Sequence, residues 1–168
     1  MDEPLFFDEL PLGGCWKSRA RTITESDVAA FAGLTGDYDP LHMDHEHARN
    51  TPFGKPVAHG LLGLSFVAGL GSHSPSVQTI AFVSVDNWSF LRPLYFGDTV
   101  HVLTEVVEKQ SKGRRHGRIR WKRQLVNQRG EVVQEGFFET VVAISSVDVP
   151  SKPHFSERQT DQPVKPNG

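Results

Sequence analysis

Residues 56–72 read PVAHGLLGLSFVAGLGS. The stretch is apolar on nearly every face, so it predicts a buried helix over 56–71 rather than one lying on a surface. Pro56 suits a first helical turn. Gly60, Gly63 and Gly69 each cost about 1 kcal/mol of helix propensity relative to alanine; close approach of other backbone, or of a ligand, would justify that cost. The period then changes. Runs at 78–91, 98–109, 115–127 and 131–145 read as strands, with Gly97-Asp98, Gly113 and Asn127 to Gly130 as turns. In the third run Ile119, Trp121 and Leu125 alternate with Arg118, Arg120, Lys122 and Gln124. That period of two belongs to a sheet with one dry and one wet face. The predicted architecture is α+β: one long apolar helix, then an antiparallel sheet that wraps it.

Upstream, residues 14–23 predict a short strand to which Trp16 and Ile23 contribute apolar side chains. Thr24 is a good N-cap, and Asp27 three residues later approximates a capping box. Val28, Phe31 and Ala32 recur at helical spacing, and Gly36 ends that helix. Residues 37–56 are loop-rich, with Pro40, Pro52, Gly54 and Pro56 and a short helix around Asp44 to Arg49. The chain divides into an acidic segment, 1–13, with Leu5, Phe6 and Phe7 as a docking patch; a domain, 14–146; and a tail, 147–168. The tail carries four prolines and few apolar residues, so it cannot offset its ordering entropy and is expected to be flexible.

With 168 residues, the chain can bury a core without metal or disulfide. Its net charge of −2 excludes a chain-wide basic field for nucleic acid. Cys15 is the only cysteine, so no internal disulfide forms and a thiolate zinc site is not expected. MDEPLFFDEL carries four acids and no base, the wrong charge for a signal peptide. No run of 18 apolar residues suggests a membrane span. The expectation is a cytoplasmic protein.

Two polar clusters carry chemistry. In Gly36-Asp37-Tyr38-Asp39-Pro40-Leu41-His42 a carboxylate and an imidazole stand five residues apart in a proline-broken loop, a pair suited to acid–base work. The alternative is that Asp37 caps a turn and His42 is a satisfied loop histidine. In Phe53-Gly54-Lys55-Pro56-Val57-Ala58-His59-Gly60 a histidine and a glycine open the apolar helix. The first N–H groups of a helix lack intrahelical partners, so the Gly60 N–H can meet a developing oxyanion. The alternative is that Gly60 only permits close packing.

Together GDYDPLH, HMDHEHA and FGKPVAHGLL resemble the MaoC-like, (R)-specific enoyl-CoA hydratase/dehydratase family. The resemblance extends through Phe90 to Val100 and covers about residues 14–145. It implies a hotdog fold and a hydro-lyase of fatty acid metabolism that adds water reversibly to trans-2-enoyl thioesters, giving (R)-3-hydroxyacyl thioesters. It implies a catalytic dyad of Asp37 and His42, an oxyanion hole at Gly60, and substrate positioning by Pro40 and His59. No metal or resident cofactor is implied; coenzyme A, or an acyl carrier, belongs to the substrate. Asp39 stands where the family usually has asparagine, and either perturbs Asp37 or simply accepts a loop hydrogen bond. Two other readings compete: a hotdog acyl-CoA thioesterase, and a catalytically silent acyl-CoA-binding or partner subunit.

His42, His45 and His47 with Asp44 invite a metal reading, but helical spacing points His45 and His47 about 200° apart. Lys109 to Arg123 holds eight basic residues and no acid. It reads as a solvated hairpin face, or through Arg114, Arg115 and Arg118 as a contact for coenzyme A phosphates. Ser65 reads as a back-bonded helix serine. An open sheet edge predicts a homodimer or an assembly of dimers; no nucleic-acid or membrane partner is expected.

Overall fold

Thr24 begins the first long helix as its sequence predicts. Its hydroxyl accepts from the Asp27 N–H, the Asp27 carboxylate accepts from the Thr24 N–H, and α1 (Glu25–Thr35) ends at Gly36 with φ 81°. The computed structural model describes residues 3–145; the expected flexible tail at 147–168 lies outside them. Two short helices follow, α2 (Pro40–Met43) and α3 (His45–Arg49). The apolar stretch forms α4 (Gly60–Gly71), four residues later than Pro56 because 56–59 run extended into the His59 N-cap.

The four long strands are β3 (Thr79–Phe90), β4 (Thr99–Ser111), β5 (His116–Val126) and β6 (Val132–Ala143). The expected strand at 14–23 is two pieces, β1 (Cys15–Lys17) and β2 (Arg21–Thr22). They are separated where the Ser18 hydroxyl turns in to accept the Val102 N–H at 2.8 Å. All pairings are antiparallel, in the order β1-β4-β5-β6-β3 with β2 also on β4. The period of two is realised: Ile119, Trp121 and Leu125 are buried against Leu62, Phe66 and Val67 of α4. Burying such side chains is worth about 1.5–3 kcal/mol each, which offsets the glycine cost in α4. A sheet wrapped on one helix is the expected hotdog fold. Phe7 packs over Gly117, so the N-terminal apolar patch docks on this chain's own sheet.

One expectation for α4 is corrected. It is not buried all round: Leu62, Gly63, Phe66, Val67 and Gly71 are buried, while Leu61, Ser65, Ala68 and Gly69 are exposed. A single sheet covers only one side of a helix. The close-approach reading of the glycines holds at Gly60, where a β-carbon would meet the Phe90 ring at 3.0 Å, and at Gly63, where it would meet Gln134 at 2.2 Å; at Gly69 nothing lies within 4 Å. Ser65 donates to the Leu61 carbonyl at 2.9 Å, the back-bonded serine expected.

Candidate active site

The Asp37–His42 loop is organised by capping. Asp39 is the N-cap of α2: its carboxylate accepts the Leu41 N–H at 2.8 Å, with Pro40 at the first helical position. An asparagine oxygen would do the same, so a local role for Asp39 is met by geometry. The Asp39 N–H reaches Asp37 Oδ1 at 3.3 Å. The next cap, Asp44, accepts the N–H groups of Glu46 and His47. The His47 N–H above all holds the Asp44 carboxyl below its usual range against desolvation, with that of Glu46 adding to it.

These caps turn His42 inward. Its Nδ1 is 2.7 Å from the Val57 carbonyl. A carbonyl only accepts, so Nδ1 carries a proton and Nε2 is the ring nitrogen not used in that bond. The His42 ring lies against the His59 ring, centroids 3.8 Å apart. His59 is 2% exposed. Its Nε2 donates to the Asp37 backbone carbonyl at 2.9 Å and stands 3.8 Å from Asp37 Oδ2. One ligand atom each from Asp37, His42 and His59 falls within 4.8 Å of the others. The structure thus brings Asp37, ahead of α2, together with His42, within it, and His59 ties their loop to the start of α4.

That same trio is the described grouping nearest to a cation site. His59 Nε2 is committed as a donor to the Asp37 carbonyl, while its Nδ1 is buried with no hydrogen-bond partner among the described residues. The other metal reading comes apart. Asp44 caps α3, His45 Nε2 is 3.7 Å from Glu25, and His42 faces the other way, toward Val57.

A cavity of about 380 Å³ opens beside the trio. His42, Gly60, Phe90, Arg92, Leu94 and Gln134 are among its walls. Gly60 is the first residue of α4, and its N–H has no acceptor among the described residues. Its carbonyl accepts Gln134 Nε2 at 3.0 Å, and Gln134 Oε1 accepts Trp88 Nε1 at 3.2 Å. The helix start is therefore held from the sheet. Asp37, Pro40 and His59 do not line this cavity; of the Asp37–His42 loop only His42 does.

Arg114, Arg115 and Arg118 are not brought to the cavity within one chain. Leu125 pairs with cavity-lining Gln134, and Arg118 lies seven residues further along β5, about 23 Å away at the rise of a strand. Arg118 is paired with Glu139 at 2.7 Å. The cation in the cavity wall is Arg92, which sequence reasoning missed although it sits inside the Phe90 to Val100 segment already singled out. Arg123, grouped with the solvated basic run, is turned inward and buried. Its odd-number register with Ile119, Trp121 and Leu125 was the signal for that.

Compared with known proteins, residues 13–126 match the family described as MaoC like domain. The chain is 35% identical over 112 residues to the 3-hydroxybutyryl-CoA dehydratase of Methylorubrum extorquens, covering 66% of this chain and 69% of that protein. It is 36% identical over 96 residues to the (R)-specific enoyl-CoA hydratase of Rhodospirillum rubrum, covering 56% and 65%. The match to a longer relative spans 33% of that protein. Among solved structures, a MaoC-like dehydratase from Rhodospirillum rubrum superposes with TM-score 0.77 at 30% identity, over 85% of this chain and 99% of that one.

Proposed function

The chain belongs to the MaoC-like dehydratase family, and from that premise we propose that it adds water reversibly to trans-2-enoyl thioesters of coenzyme A or an acyl carrier, giving (R)-3-hydroxyacyl thioesters. The observation that carries this reading is one cavity lined by His42 and by Gly60, whose N–H has no acceptor among the described residues, with a side-chain oxygen of Asp37 within 4.8 Å of a ring nitrogen of that same His42. Asp37 and His42 hold one water between them. As the water oxygen bonds to C3, one of them takes its proton, and a proton is delivered to C2. The π pair moves first onto the thioester oxygen, where the Gly60 N–H and the positive end of α4 meet it. Such a donor is worth roughly 3–4 kcal/mol. The balance is one water added and nothing oxidised, so the reaction asks for no resident cofactor. The test is crotonyl-CoA. Loss of the enoyl absorbance without free thiol supports hydration. Loss with free thiol would mean a thioesterase, and no loss a silent binding subunit.

The working unit we propose is a two-fold pair joined through β3. This strand ends the sheet order and exposes Ile80, Phe82, Val83 and Val85. It runs beside the uncovered face of α4, so one partner copy would close both. Light scattering should give about 37 kDa or a multiple, twice the 18.7 kDa chain. Val83→Asp with Val85→Asp should give the monomer, and a monomeric wild type would refute the pairing.

For the coenzyme A phosphates, Arg92 is the cation in reach, 4.0 Å from Glu131 and half exposed. Arg92→Gln should raise KM for a CoA thioester several-fold with kcat nearly unchanged, because binding common to ground and transition states is lost. Arg118, about 23 Å off, and Arg114 and Arg115 in the turn before β5 act as long-range steering. The Debye length is about 30 Å at 0.01 M salt and about 8 Å at 0.15 M. Neutralising the three should therefore raise KM at the lower salt only, and a pantetheine thioester should be indifferent. Equal response of both substrates would leave the run as a solvated hairpin face.

A further inference from the structure

A second cavity, of about 250 Å³, lies at the other end of α4. Ala68, Gly71, Ser72, Thr79, Phe82 and Arg123 are among its walls. Arg123 is 8% exposed, and no described carboxylate lies within ion-pair distance of it. Its guanidinium sits over the Phe138 ring, 4.7 Å from the centroid. It reaches the carbonyls of Val67 and Gly71 only at 3.5 and 3.3 Å, and its Nε has no partner among the described residues. A residue present only to cap α4 would not leave that donor orphaned. Gly71 makes the room: a β-carbon there would fall 2.7 Å from Nη1. Burial pulls the guanidinium down to about 10, so it remains a cation at neutral pH. A buried cation without a counter-charge is costly, and a planar donor fork is matched by a carboxylate. Ser72, Thr79 and Thr140 line the same space, the Ser72 hydroxyl donating to the Gly69 carbonyl and the Thr140 hydroxyl accepting from the Trp121 indole.

Within one chain this cavity is far from the dyad: Gly60 and Gly71 are separated by about 17 Å of helix. The two-fold pairing through β3 changes that. Strands related by a two-fold are antiparallel, so the Phe90 end of one β3 meets the Thr79 end of the other. Phe90 lines the dyad cavity and Thr79 lines the Arg123 cavity. Each dyad cavity is thereby continued by the other copy's Arg123 cavity. We propose that Arg123 of one copy binds a carboxylate at the far end of an acyl chain whose thioester is held by the dyad of the other copy. The preferred substrates are then monothioesters of enedioic acids. This rests on the hydration reading and names its substrate class.

The test separates the two. Equilibrium binding of succinyl-, glutaryl- and adipyl-CoA to the wild-type protein is compared with butyryl-, pentanoyl- and hexanoyl-CoA, alongside hydration assays of the matching enoyl thioesters. At the best-fitting length the carboxylate should bind at least about tenfold tighter. Arg123→Met should abolish that preference, and Arg123→Lys should restore part of it. No carboxylate preference in the wild type overturns the inference, whether or not either variant folds; hydration of uncharged enoyl-CoA in the same experiment leaves the function reading standing. Carboxylate preference without any hydration would overturn the function reading and keep the site. Mixed dimers fix its placement. Arg123→Met copies, active but without the carboxylate preference, should on equal mixing with inactive Asp37→Asn copies recover that preference at about half of the active sites, those of the mixed dimers. No recovery on mixing overturns the assignment across copies.

Discussion

Asp37→Asn is expected to lower enoyl-thioester hydration by at least about 10²-fold, the scale of a positioned acid–base group. The melting temperature should stay within about 2 °C, since exposed substitutions cost within roughly 0.5 kcal/mol and each kcal/mol moves a domain of this size by about 2–4 °C. The geometry supports both halves. The Asp37 side chain is half exposed, and the Asp39 N–H at 3.3 Å can be accepted by an amide oxygen as well as by a carboxylate. His59 holds the Asp37 backbone carbonyl, which the substitution leaves alone. What disappears is the proton acceptor. His42→Ala should cost about as much, and the double variant little more than either, because the two groups act on one water. Near-wild-type turnover by Asp37→Asn would remove Asp37 from the reaction.

The largest stability effect is expected at Gly63→Val. A β-carbon at Gly63 would stand 2.2 Å from Gln134 Nε2 and 2.6 Å from Leu94 Cδ1. Both neighbours are almost wholly buried, Gln134 at 1% and Leu94 at 2% exposure, so neither can swing away into solvent. Overpacking costs about 1–3 kcal/mol. Displacing Gln134 breaks its bonds to the Gly60 carbonyl and the Trp88 indole, and a buried amide left unsatisfied costs about 1–3 kcal/mol more. Together these should lower the melting temperature by roughly 10 °C. Hydration should fall with it, because Gln134 is what holds the start of α4, and with it the Gly60 N–H, against the sheet. A melting temperature within 2 °C of wild type would mean the interior yields at this contact, contrary to the burial of both neighbours.

The expected strands at 78–91, 98–109, 115–127 and 131–145 lie within about two residues of the four long strands observed. Alternation along a strand is a local consequence of the pleat, and glycine turns bound it without help from tertiary contacts. The caps of α1 were legible for the same reason: Thr24, Asp27 and Gly36 satisfy backbone groups within a few residues of themselves. Asp37, His42 and Gly60 were legible as chemistry-bearing types at a recognisable spacing. The split of the first strand was not, since it depends on Ser18 bonding Val102, 84 residues away.

The sequence by itself thus determined the order and type of the elements, the family, and which loop holds Asp37 and His42, because each of these is written in short-range patterns. Tertiary structure alone decided four matters. His59 became the brace of the Asp37 loop instead of a wall of the cavity, and Arg92 became the cation at its mouth. Arg114, Arg115 and Arg118 were carried to the far end of the sheet. Arg123 was turned from a solvated strand face into a buried guanidinium with no counter-ion among the described residues. In each case the deciding quantity is a distance between residues remote in the chain, or the side of a strand that another element happens to cover. Charge and composition are blind to both.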